Sequence, residues 1–518
     1  MYKYYHPSSL GKSTELNLNH NPNLTSSQLA SPDTRLQAAI PLSPLPLKHI
    51  PPTATMTSLQ PRDPYTPDEL RALYPPQLTL RQVQVFLRHG ERTPITSRFA
   101  NAGQPRFWPY CRHASTLRAA LLHAPTGTFE PFEWTRHLET FASETDDSPV
   151  PARGPHGGVS NICDFGMLTD EGRASTHALG ERLRALYVDR LGFLPARIDS
   201  TDGMYLRATP IPRALESMQQ AFQGLYPQDA RDPAMPAPPI VSRTAAQETL
   251  YPNDLHCRRL AHLSREFSRR AGARWDHTPE MRYVNSKIGK WMPESSPSVA
   301  VGSKPSLVGV MDSVNATLAH GPETKLPAEF YDDKLRGILD TVATEEWFAG
   351  YLESSEYRRL GIGSLMGDAV QRMVGAAEAR NRPAEAPAAV KLALSGCHDT
   401  TLAAILGSVG GPAALRKWPP FTSHIALELF SRAGEAGSDA AKVPIGRTST
   451  LDKEWSPAME DALKGYYVRV RYNDEPVVVP GCRKPGNHLD GDVSFCTLVS
   501  SYCPLFPNPK DGEVWARH

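Results

Sequence analysis

Three short apolar runs set the frame for this chain. They cover 82–87 (QVQVFL), 203–207 (GMYLR) and 390–396 (VKLALSG). Each has the length of a strand, and the last two lead at once into segments of helical periodicity. In "PRALESMQQAFQGLYP" (212–227), Leu215, Met218 and Phe222 fall on one face and Gly224 reads as the stop. Asp399 starts another helix, "DTTLAAILGSVGG". A third, "LTDEGRASTHALGERLRALYV", is capped by Thr169 and aligns Leu179, Leu183, Leu186 and Tyr187. Strands alternating with helices imply crossover connections, and crossovers build parallel sheets covered on both faces. The expected fold class is α/β: a mainly parallel central sheet flanked by helices.

The rest of the chain hangs on that frame. Order is expected from about Thr66, where a cap, Pro67 and two acids open a helix. Residues 1–62 are rich in Pro, Ser, Thr, Asn and Leu without apolar periodicity, and read as a disordered extension. They hold no charged segment followed by an apolar one, so no secretory signal is recognised. Met56, just before the ordered part, is an alternative start. The α/β core is assigned to 63–240 and 386–518, with 100–160 as an irregular inserted loop. Residues 241–385 are helical and charged, and read as an inserted helical cap. The tail adds strands "HIALELF" and "GYYVRVRYN", then a turn at Asp474 and Glu475. With 518 residues, 40% of them hydrophobic, a large core is within reach. No apolar run is long enough to cross a bilayer. A net charge of +1 gives no overall field for nucleic acid. Seven cysteines are few and odd in number, which favours a reducing compartment; Cys482 and Cys496 are the pair for an oxidising one.

The three runs end alike. The first passes into Arg88, His89, Gly90, Glu91 and Arg92, the second ends at Arg207, and the third runs into His398 and Asp399. Open α/β sheets bind ligands at the carboxyl ends of their strands. Adjacent ends would bring three arginines, two histidines and a carboxylate to one point. Guanidinium forks match the oxygens of a tetrahedral phosphate. Gly90 would let the backbone approach that ligand closely. Neighbouring positive charge keeps the imidazole neutral, so His89 can attack phosphorus and form a phosphohistidine. The arginines hold the equatorial oxygens. Asp399 is the candidate acid for the leaving alkoxide, with His398 as alternative donor or fourth clamp. An acid held among arginines works best at low pH, so an acidic optimum is expected.

These residues resemble the histidine acid phosphatase family, the branch of the phosphoglycerate-mutase-like superfamily marked by "RHGxRxP" and "HD". The likeness runs over roughly 80–500 and includes "SGCHDTTLAAIL", "KWPPF" and "VPGC". "ETLYPN", "RLGIGSL" and "KWPPFTSHIALELF" are similar to the lysophosphatidic acid phosphatase (acid phosphatase type 6) subgroup. The resemblance implies that His89 is the nucleophile, that Arg88, Arg92, Arg207 and His398 bind phosphate, and that Asp399 donates the proton. One departure is Ala208, where the family usually has serine. The resemblance also implies a small phosphomonoester substrate, with a lysophospholipid as the candidate, and an intracellular, mitochondrial location.

Substrate choice should rest on the insertions. Phe107, Trp108, Tyr110 and Trp134 are candidates to line an acyl channel or simply to pack a loop. Arg258, Arg259, Arg269 and Arg270 could read a polyphosphate such as phytate, or form a solvated helix face. A phytase-like phosphatase is therefore the second reading, then a phosphomutase and a non-catalytic phosphate-binding module. No cofactor is expected. No metal is expected either, because no closely spaced ligand motif is present and arginines repel a cation.

Overall fold

The computed structural model describes residues 64–123, 125–141, 148–378, 389–432 and 463–498. The extension at 1–62 lies outside the described residues. Helix α1 (Pro67–Leu73) begins as expected: the Thr66 hydroxyl accepts from the Glu69 N–H, and the Glu69 side chain accepts from the Thr66 N–H. It leads into β1 (Leu78–Arg88), longer than the run that announced it.

Residues 100–160 depart from the irregular loop expected there. They form two hairpins, β2 (Thr116–His123) with β3 (Thr128–Thr135), and β4 (Glu139–Phe141) with β5 (Pro149–Pro151). The first has apolar side chains on both faces, which hid the alternation that marks a half-buried strand. Leu122 (60%) and Phe129 (69%) at its tip are strongly exposed. A disulfide joins Cys111 to Cys163, 52 residues apart, and a second joins Cys482 to Cys496.

Next come α2 (Asp170–Arg184), β6 (Met204–Ala208), α3 (Pro212–Leu225) and β7 (Ile240–Val241). Thr169 caps α2 as read from sequence. Gly224 is not a stop. It lies inside α3, where a side chain would collide with the His177 carbonyl of α2; Gly180 of α2 faces Ala221 in the same way. The two glycines let these helices touch backbone to backbone.

The helical segment holds α4 (Arg258–Trp275), α5 (Pro279–Ile288), α6 (Leu307–Leu318), α7 (Asp333–Glu353), α8 (Ser355–Arg358) and α9 (Ser364–Glu378). The chain then returns through β8 (Leu392–Cys397) and α10 (Asp399–Val409) to β9 (His424–Arg432) and β10 (Tyr466–Tyr472). Three short strands follow: β11 (Glu475–Val477), β12 (His488–Leu489) and β13 (Asp492–Thr497).

One nine-stranded sheet gathers these strands in the order β12-β13-β10-β9-β1-β8-β6-β7, with β11 beside β10. Strands β1, β8, β6 and β7 run parallel, whereas β9, β10 and β13 extend the sheet antiparallel. The three apolar runs are thus neighbours: β8 pairs with β1 on one side and β6 on the other. Val83, Val85, Leu392, Leu394 and Leu206 from these strands pack with Leu179, Leu183, Met218 and Phe222 of α2 and α3. A buried charge cluster ties the antiparallel half: Glu428 on β9 accepts from Arg469 at 2.8 Å, Tyr74 at 2.6 Å and Tyr187 at 2.8 Å. No described helix is long and apolar enough to cross a membrane.

Candidate active site

Parallel pairing sets Arg88 opposite Cys397 and Arg207 opposite Ser395, so the polar residues after β1 and β8 emerge side by side. His89 is buried with its ring 5.6 Å from that of His398 and 6.0 Å from Phe421. Its Nδ1 lies 2.9 Å from the Gly90 carbonyl oxygen. A carbonyl can only accept, so Nδ1 carries the proton and the neutral ring keeps its Nε2 lone pair. Burial pushes the His89 pKa well down, and the charges of Arg213, Arg88, Arg92 and His398 add to this. The imidazole therefore stays uncharged in mildly acidic water.

Gly90 serves a different neighbour from the one expected. A side chain there would strike the carbonyl of Gly172 in the first turn of α2, so the close approach is made by a helix. The Gly90 N–H donates to Ser217 on α3.

Arg88 is oriented on three sides. Its Nη2 lies 2.9 Å from Asp399 Oδ2, its Nη1 donates to the Pro419 carbonyl, and its guanidinium sits 4.3 Å from the Phe421 ring centre. Arg92 is held by Asp312 of α6 at 2.8 Å; Asp312 also takes Arg98 at 3.0 Å and the Ile95 N–H. The Nε atoms of Arg88 and Arg92 are buried without a hydrogen-bond partner among the described residues.

The structure separates the two arginines of "LRATPIPR". Arg207 is fully buried and closes on Glu248 at 2.5 Å, with Thr249 at 3.1 Å and Asp368 at 3.6 Å. The cation whose field both His89 and His398 feel most is Arg213, in the first turn of α3. Arg213 is buried, and burial with the repulsion of Arg92 and Arg88 brings its pKa down to about 9, against the pull of Asp399 and Asp312. The sequence did carry a signal for it: a cation at a helix N-terminus opposes the helix dipole and needs an anion to justify it. Ala208, where the family usually has serine, brings no hydroxyl to the site. The hydroxyl that reaches His398 Nε2, at 3.1 Å, belongs to the next residue, Thr209.

His398 is buried, with its pKa well below the ordinary value through burial and Arg213, against the pull of Asp399. Asp399 opens α10 and accepts from Arg88, from the Trp418 indole N–H at 2.9 Å, and from the Thr400 N–H at 2.8 Å. Burial lifts its pKa, but Arg88, the Trp418 hydrogen bond, Arg92 and His398 outweigh that and hold it at about 2. The cluster thus places repelling cations in a desolvated space, an arrangement that a bound oxyanion relieves. Inorganic phosphate is expected to raise the melting temperature, by about 2.7 kcal/mol of stabilisation at a hundred times its Kd. Differential scanning calorimetry checks this, and an unmoved transition would contradict it. No cluster of metal-ligating side chains occurs among the described residues.

The aromatic candidates do not form one channel wall. Phe107 is buried against Phe165, Trp108 and Tyr110 pack on His320, and Trp134 is half exposed on the β2–β3 hairpin. The basic runs on α4 are largely spent on ion pairs: Arg259 with Glu356, Arg269 with Glu266 and Arg270 with Glu353.

The chain is similar to known proteins. Residues 79–473 match the histidine phosphatase superfamily (branch 2). A probable acid phosphatase of Schizosaccharomyces pombe is 35% identical over 441 residues, covering 82% of this chain and 91% of that protein. Lysophosphatidic acid phosphatase type 6 of Homo sapiens is 25% identical over 354 residues, covering 68% of this chain and 74% of that protein. Among solved structures, the multiple inositol polyphosphate phosphatase of Bifidobacterium longum shares the fold. Its TM-score is 0.50 at 11% identity, covering 89% of this chain and 99% of that one. The chain belongs to the histidine phosphatase superfamily, branch 2, and is a histidine acid phosphatase.

Proposed function

We propose that the enzyme hydrolyses lysophosphatidic acid or a similar phosphomonoester through a phosphohistidine on His89. The observation that carries this reading is the His89 ring: Nδ1 tied to the Gly90 carbonyl, the Nε2 lone pair kept, cations around it. Arg88, Arg92, Arg213 and His398 hold the phosphoryl oxygens. Nε2 forms the P–N bond as the ester P–O bond breaks. Asp399 gives its proton to the leaving alkoxide, and water then attacks the phosphohistidine to release phosphate. A bound phosphate dianion beside Asp399 raises its pKa from about 2 towards the working range. Rate therefore rises as pH falls and more Asp399 is protonated.

The lipid substrate draws support from relatives named lysophosphatidic acid phosphatase type 6. The arginine pairs on α4 leave little unpaired basic surface there for a polyphosphate. The subgroup points to a mitochondrial location within the cell, and two disulfides, against the reducing compartment expected from the cysteine count, fit an oxidising one.

The proton donor has a direct test. Asp399→Asn is expected to lower kcat on an alkyl phosphate by about 10²–10⁴-fold. Loss on p-nitrophenyl phosphate should be far smaller, because that leaving group needs no proton. Equal losses on both would remove Asp399 from this role. Assay of lysophosphatidic acids of several chain lengths beside phytate, with EDTA present, tests the substrate. Release from phytate alone would overturn the lipid reading.

A further inference from the structure

The segment "KWPPF" (417–421) forms a loop that touches both ends of the site. The Pro419 carbonyl accepts from Arg88, and the Phe421 ring lies under Arg88 and beside His89. The Trp418 indole N–H donates to Asp399 Oδ2 at 2.9 Å. Helix α7 holds the loop. Asp340 Oδ1 accepts from the Trp418 backbone N–H at 3.0 Å. Two turns further along, Phe348 and Trp347 pack on the Trp418 ring at 4.8 and 5.6 Å between centres.

We propose that Asp340 is a positioning residue for proton donation: it anchors the 417–421 loop so that the Trp418 indole holds the Asp399 carboxylate in register. The claim rests on the reading of Asp399 as the proton donor. It makes helix α7 part of the acid's support.

The chemistry around both carboxylates bears on the sign. Asp340 faces the Trp418 N–H, Lys417 and Arg336, and its charge is felt by Tyr472. Burial outweighs those neighbours and lifts its pKa to about 6. Asp399 faces Arg88, Trp418, Arg92 and His398, and interacts with Arg213. Beside the Thr400 N–H, Trp418 is a neutral donor to Asp399. It favours the ionised carboxylate, so its loss raises the pKa of the acid.

The test is the pH dependence of kcat for the full chain on glycerol phosphate, whose leaving group needs a proton, with p-nitrophenyl phosphate as control. Trp418→Phe is expected to move the alkaline limb to higher pH by about one unit and to lower the plateau about tenfold on glycerol phosphate. Asp340→Ala should move it in the same direction with KM within about twofold. Asp340→Asn keeps a carbonyl for the Trp418 N–H and should behave like wild type. Asp340→Leu, similar in shape but without an acceptor, serves as the cut if the alanine variant does not fold. An unmoved limb in the cut variant, or in Trp418→Phe, would overturn the proposal. So would an asparagine variant that shifts as far as the alanine one. Failure of the underlying reading looks different: wild type itself would then treat the two substrates alike across the pH range.

Discussion

His89→Ala is expected to lower turnover of any phosphomonoester by at least about 10⁴-fold. The variant keeps Arg88, Arg92, Arg213 and His398, so it should still bind inorganic phosphate. Folding should survive the loss of one imidazole. Phosphate affinity by calorimetry and kcat on p-nitrophenyl phosphate separate the two effects. Retained binding with lost turnover is the signature of a missing nucleophile. Comparable turnover in the variant would mean that water attacks directly and His89 only binds.

The second large effect distinguishes two arginines six residues apart. Arg213→Ala is expected to lower kcat/KM by about 10²–10³-fold, the range for losing one oxyanion donor. It should also move the acid limb of the profile. His89 must be neutral to attack, and Arg213 is the strongest charge depressing its pKa. Without that charge the pKa rises, His89 is protonated earlier as pH falls, and the acid limb shifts to higher pH. Arg207→Ala should act on stability instead. It leaves the buried Glu248 carboxylate without its cation, at a cost of about 3–5 kcal/mol. Turnover per folded molecule should change by less than about threefold, and adding Glu248→Gln should restore part of the melting temperature. A folded Arg207 variant with collapsed kcat, beside an active Arg213 variant, would reverse this assignment.

What could be read from the sequence follows from distance along the chain. Arg88, His89 and Arg92 sit within five residues at a strand end, and His398 and Asp399 are adjacent. One strand direction and one helix start therefore place each group. The parallel half of the sheet was readable for the same reason, since crossover helices force it. Contacts between remote segments were not. Glu248 and Asp368, which claim Arg207, lie 41 and 161 residues beyond it by number. Without them Arg207 reads as a phosphate-binding cation at the end of β6, and Arg213 reads as a helix residue. Asp312 and Asp340, which hold Arg92 and Trp418, come from helices whose packing no periodicity reveals. Apolar residues on both faces of the hairpin at 116–135 erase the two-residue period that would announce it.

The proposed mechanism turns on a covalent bond from phosphorus to His89. The most direct measurement mixes enzyme with ³²P-labelled phosphomonoester, quenches in alkali within milliseconds, and maps the label by peptide mass spectrometry. A nucleophilic His89 predicts label on the peptide holding that residue, absent in His89→Ala, and accumulating if water attack is the slower step. Label on another residue, or steady turnover with no trapped phosphoenzyme under any quench, would contradict it.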